Sequence, residues 1–115
     1  MANTFKVVTK AGVTSADVIY TVAGSTTTVV LGLIIGNTTS SSINATVTLG
    51  TDTGNRSGAN DEANQAVELI TTTPIPGNST LELLAGNKVV METTDTLSVT
   101  GSGAVDVVLS IMEIT

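Results

Sequence analysis

The stretch "VVLGLIIG", residues 29–36, constrains the fold more than any other part of this chain. Read at a period of two, Val29, Leu31, Leu33 and Ile35 share one face, and Val30, Gly32 and Ile34 share the other. A strand with one solvated face alternates apolar and polar residues, and this one does not. It must be covered twice. Either it is a central strand under a second layer, or its outer face meets another chain. Gly32 offers close backbone approach at that outer face. The run is far too short to span a bilayer, which takes about 20 apolar residues as a helix.

The rest of the chain is punctuated in the same style. The 115 residues include 22 Thr and 15 Val, and 11 Gly serve the turns. β-Branched side chains are stiff at χ1 and suit pleated, half-buried surfaces. Runs at Phe5–Thr9, Asp17–Val22, Thr26–Ile35, Ile43–Leu49, Ala66–Thr72, Leu81–Leu84, Val89–Met91, Leu97–Val99 and Ala104–Ile114 read as strands. Phe5 and Val7 share a face, and so do Val18, Tyr20 and Val22. Ile43, Ala45, Val47 and Leu49 point inward. Pro76-Gly77 fits the middle of a type II turn, with Gly accepting positive φ. Pro74 places its segment at an edge or between sheets. Gly86-Asn87 reads as a hairpin turn, which would make 81–99 a meander of three short strands. In the last strand Val105, Val107, Leu109 and Ile111 lie on one face, whereas Met112 and Ile114 take the opposite parity. A bulge, or packing against a neighbouring subunit, would account for that.

About eight or nine short strands with regular turn signals predict one all-β domain over 1–115, a two-sheet sandwich of jelly-roll or immunoglobulin-like type. Residues 1–10 could act as an extended N-terminal arm that adds a strand to a neighbour's sheet edge. The segment "MANTFKVVTK" lacks a basic stretch followed by an apolar one, so it does not read as a secretory signal.

Composition excludes most chemistry. There is no Cys and no His, so disulfides, thiolate metal sites and the commonest general base are all missing. Tyr20 and Phe5 are the only aromatics, which disfavours sugar or single-strand nucleic-acid platforms. Net charge is −6 with four basic residues, Lys6, Lys10, Arg56 and Lys88, scattered along the chain. Nucleic-acid binding needs them clustered. The acidic surplus favours solubility. In the polar loop 50–65, Asp52, Asn55, Asn60, Asp61 and Glu62 could in principle hold calcium, but Gly54 stands where a ligand is needed; a solvated loop is the better account. "ANDEANQA" within it could form one helical turn. Asp17, Glu82, Glu92, Asp95, Asp106 and Glu113 mostly sit on outward-facing positions and read as surface charge rather than a catalytic carboxylate pair. Ser and Thr nucleophiles lack an activating base. The expectation is a non-enzyme without cofactor or metal. Its candidate interface is Val30, Gly32, Ile34, Met112 and Ile114.

The run "TPIPGNSTLELLAGNKVVMETTDTLSVTGSGAVDVVLSIMEI" resembles small β-sandwich virion proteins of tailed phages, marine and cyanobacterial ones in particular. The resemblance is carried by the turn Pro76–Ser79, the strand Leu81–Leu84, Gly86–Lys88, the "DTLSVT" strand Asp95–Thr100 and the final strand Val105–Glu113. "TTTVVLGLIIGNTTSSSINATVTL" adds a matching strand pair. The resemblance implies a structural role on the particle and no catalytic residues. It leaves the place on the particle open between capsid and tail or neck; the leading expectation is a homo-oligomeric capsid decoration or cement protein, a role that a trimer in particular would favour. Its partners would be itself and the major capsid protein, its place the virion, and its site of assembly the host cytoplasm. A tail- or neck-associated protein that contacts tail proteins is the nearest alternative. A host-surface or glycan-binding module would need aromatic or calcium-assisted contacts that the sequence barely offers.

Overall fold

In the computed structural model the chain is described over residues 2–51, 65–84 and 86–115. These hold nine strands and no helix: β1 Asn3–Val13, β2 Asp17–Thr21, β3 Thr27–Asn37, β4 Ile43–Gly50, β5 Ala66–Ile75, β6 Thr80–Leu83, β7 Val89–Met91, β8 Thr96–Gly101 and β9 Val105–Ile114. They form two antiparallel sheets. One is five-stranded, in the order β1-β9-β3-β6 with β7 also on β3; the other is four-stranded, in the order β2-β8-β4-β5. Apart from the β4–β5 connection and the β6–β7 continuation, every connection passes from one sheet to the other. This is the jelly-roll wrap, and it resolves the two sandwich types that the strand pattern left open.

The core is aliphatic and lies between the sheets. Val30, Leu33 and Ile35 of β3 meet Leu109 and Ile111 of β9 on one side, with Ala45 and Val47 of β4 and Leu97 and Val99 of β8 on the other. The central strands supply most of it, as alternation in a two-layer sandwich requires. No aromatic side chain is fully buried: Phe5 is exposed and Tyr20 half-buried.

Three expectations are corrected. First, β3 does not keep one phase. Its ladder with β9 shifts between Val30 and Gly32, so Leu31 is an extra residue. Before it Thr28 and Val30 point inward; after it Leu33, Ile35 and Asn37 do. A bulge exchanges the faces of everything beyond it. The same happens on β2, where a shift between Val18 and Tyr20 leaves Val18 exposed and Tyr20 on the inner side.

Second, β6 and β7 are not a hairpin. Both run antiparallel to β3, β6 against Leu33–Gly36 and β7 against Thr28–Val30, so they continue one another along a single edge. Gly86, at φ +87, and Leu84, at φ +68, lie in an excursion between two halves of one strand. β8 then crosses to the other sheet, so 81–99 is not a meander.

Third, positive φ in the turn after β5 falls on Asn78, at φ +58, while the Ser79 N–H reaches the Pro76 carbonyl. Gly77 serves a different need. Its Cα lies so close to the Ser40 backbone that a Cβ there would collide with it.

The stretch 1–10, read as an extended arm, is from Asn3 onward an edge strand paired with β9 of the same chain. The proposed calcium ligands and most of the proposed helical turn lie outside the described residues; Ala66 of that turn opens β5.

Candidate functional site: the uncovered face of the larger sheet

The registers fix which side chains share the outer face of the five-stranded sheet. β9 pairs with β1 without a break from Val107 to Ile114 and holds a single phase, with no bulge at its end. Ile111 and Leu109 point into the core, so Val108, Ser110, Met112 and Ile114 point out. Cross-strand neighbours then line up in rows. Phe5, Met112, Val29 and Val90 make one row across β1, β9, β3 and β7. Thr9, Val108 and Ile34 make another, ending on Glu82 of β6. Val7, Ser110 and Gly32 lie between them.

Five of the seven exposed large hydrophobics of the described residues belong to this face: Phe5, Val7, Ile34, Val90 and Val108. Phe5 is 71% exposed and Val7 63%, the highest values of the set. Strand spacing and rise put the apolar part at roughly 400 Å². That is the size of the largest patch on an ordinary monomer, which is often its functional one. A Cβ on Gly32 would meet nothing within 4 Å, so the middle of the face is open.

Of the five residues singled out in the sequence, the fold brings Gly32, Ile34, Met112 and Ile114 together here. Val30 is corrected: it is 0% exposed, in the core opposite Ile111, because the Leu31 bulge comes after it. Phe5, Val7, Val29, Val90 and Val108 join the face and were not singled out. Phe5 and Val7 gave a signal in their alternation with Thr4 and Lys6. Val108 gave none, since it shares its parity with Asp106 and Ser110.

A cluster of ionisable groups, Tyr20, Glu113 and Lys6, binds the two sheets at the end of the sandwich. The Tyr20 hydroxyl donates to Glu113 Oε2 at 2.5 Å and lies 2.8 Å from Thr28 Oγ1. A phenol has one proton, so Thr28 must donate to Tyr20. Lys6 Nζ sits 2.7 Å from Glu113 Oε1. Burial, reinforced by the Glu113 hydrogen bond, pushes the Tyr20 hydroxyl up to about 12. The hydrogen bond from Lys6, then that from Tyr20, holds Glu113 below the usual carboxylate range. Both shifts stabilise the charge states present near neutrality, a neutral phenol and a carboxylate. That suits a clamp and is the reverse of what acid–base catalysis at pH 7 asks for. Among the described residues, no three of His, Cys, Asp and Glu gather as a metal site.

No family model matches the chain, and no curated protein matches it. Among solved structures, a chain of the Bacillus endospore appendages, described as a novel family of disulfide-linked pili, matches with a TM-score of 0.49 and 14% identity. The match covers 97% of this chain and 84% of that one. This chain contains no cysteine.

Proposed function

We propose that this chain is a non-catalytic structural protein of a tailed-phage particle, a decoration or cement protein that docks the outer face of its larger sheet onto the capsid shell. The observation that carries the reading is the row Phe5–Met112–Val29–Val90, apolar across four strands and uncovered. The resemblance of the C-terminal half to phage virion proteins supplies the particle. The clamp supports it too, because a shell protein must hold its own two sheets together while one of them is loaded from outside. Assembly in the host cytoplasm and residence on the virion belong to the same proposal.

Co-sedimentation of the purified chain with isolated heads and with isolated tails of the encoding phage tests it. Heads should bind a fixed number of copies. Ile34→Lys with Val90→Lys should weaken binding more than tenfold while the β-sheet spectrum is kept. Binding to tails alone would move the protein to the tail or neck. Binding to neither, or binding indifferent to the two lysines, would overturn the docking face.

A further inference from the structure

The free edge of β1 offers something separate from the face beside it. Ala2 and Thr115 exchange both backbone hydrogen bonds, Ala2 N–H to Thr115 O at 3.1 Å and Thr115 N–H to Ala2 O at 3.0 Å. They stand in the same register as the whole β1–β9 ladder. In an antiparallel ladder bonded and non-bonded pairs alternate. Thr4, Lys6, Val8 and Lys10 therefore spend their backbone groups on β9. Asn3, Phe5, Val7 and Thr9 turn theirs to the open edge.

The other edges of the molecule are guarded or short. β5 carries two register shifts and Pro74, β2 has five residues with a shift, and β6 and β7 have four and three. Among the edges of the described residues, only β1 is both long and regular, unbroken from Asn3 to Lys10. Bulges, prolines and short strands are how sheets prevent edge pairing, and this edge has none of them over that span. The two lysines of this strand, half-exposed charges that could serve the same end, are each paired within the chain, Lys6 with Glu113 at 2.7 Å and Lys10 with Asp17 at 3.6 Å.

We infer that two copies of this chain pair antiparallel through β1, about a two-fold axis at Val7. A second copy is the occupant because, among the described residues, no other edge is both long and regular enough to match this one: β5 has ten residues but is broken by two register shifts and Pro74. The axis is set by bonding phase and charge. Open-edge residues must face one another, which leaves axes at Lys6 or Val7 with full overlap. An axis at Lys6 sets Lys6 against its own copy, and like charges directly opposite are destabilising. At Val7 the backbone of Val7 bonds its counterpart, and Phe5 and Thr9 exchange bonds with Thr9 and Phe5 of the second copy. Lys6 then faces Val8, and Lys10 faces Thr4. Phe5 and Val7 gain the neighbours whose absence leaves them so exposed. The pairing does not depend on the phage reading, but it serves it: two joined faces offer roughly 800 Å², what one partner contributes to a standard interface.

The test is light scattering of the full chain from about 5 to 500 µM, with amide hydrogen exchange by NMR at both ends of the range. The expected result is a rise from one to two chain masses, with the Phe5, Val7 and Thr9 amides slowing at least tenfold as the dimer forms. Thr4, Lys6 and Val8, already bonded to β9, should be protected throughout. Val7→Pro deletes an open-edge donor and should leave a monomer with the native β-sheet spectrum. A mass that stays at one chain overturns the inference. So does an oligomer in which the Phe5 and Val7 amides stay fast, which would place association on the outer face or elsewhere. The exchange pattern of the unmutated chain decides even if the proline variant does not fold.

Discussion

Tyr20 of the smaller sheet donates its hydroxyl proton to Glu113 of the larger one at 2.5 Å, and this contact makes the fold's stability depend on pH at both ends of the scale. On the alkaline side the phenol matters. Its folded value, about 12, lies above the ordinary 10, so its contribution is complete below pH 10 and is lost as pH rises towards 12. The loss is on the order of 2 kcal/mol. Urea unfolding of the native chain and of Tyr20→Phe at pH 9 and pH 11 measures it. Over that window the native chain should lose about 1 kcal/mol more than the variant, roughly half of the full effect, since the folded phenol is still mostly protonated at pH 11. Equal losses would mean the phenol is not held as described.

On the acid side the sign reverses. Glu113 is held below its ordinary value, so its contribution is present above about pH 4.5 and disappears as pH falls through the depressed folded value. Glu113→Gln keeps the shape, removes the charge that Lys6 and Tyr20 address, and should flatten the stability curve between about pH 5 and pH 3. A variant curve as steep as the native one would place the acid sensitivity on other carboxylates.

Val30 and Ile34 offer the sharpest contrast on a single strand. Simple alternation puts them on the same face, but the bulge at Leu31 sends Val30 into the core and leaves Ile34 41% exposed. Val30→Ala should cost about 1–3 kcal/mol by the transfer and cavity terms of a core truncation. Ile34→Lys should stay within about 0.5 kcal/mol of the native chain, as surface changes do. Chemical denaturation of both variants checks the pair, and similar costs would mean the phase change is misplaced.

The same two residues show how far the sequence could be read. Strand positions and inward residues were legible in β4, β8 and most of β9, where local alternation runs unbroken. The doubly apolar character of β3 was legible too, and it does point to an outer face. The bulge was not, because one extra residue changes neither composition nor hydrophobicity, only phase. Gly86-Asn87 has the chemistry of a hairpin turn, yet β3 is long enough to accept β6 and β7 end to end, and that long-range pairing overrode the local signal. The partnership of β1 with β9, and hence the place of Phe5 and Val7, joins opposite ends of the chain and leaves no mark in either segment. The Tyr20 clamp was out of reach for the same reason, since its partners lie 8 and 93 residues away.

At the opposite end of the sandwich, Asn37 latches two connections together. Its buried side-chain amide donates to the carbonyls of Ser41 at 2.7 Å and Ile75 at 2.9 Å, and its oxygen accepts from Thr39 N–H at 3.0 Å. Gly77 fits the same junction because nothing larger clears Ser40. Asn37→Ala strands buried carbonyls and should cost about 2–4 kcal/mol. Gly77→Ala forces the two loops apart and should cost about 1–3 kcal/mol, as overpacking does. The two residues act on one contact between the β3–β4 and β5–β6 connections, so once either change has separated the loops the other has less left to disrupt. The double variant should therefore fall short of the sum by more than about 0.5 kcal/mol, the limit within which independent sites add. Urea unfolding of the two single variants and the double variant measures it, and strict additivity would show that the latch and the close approach stabilise the fold separately.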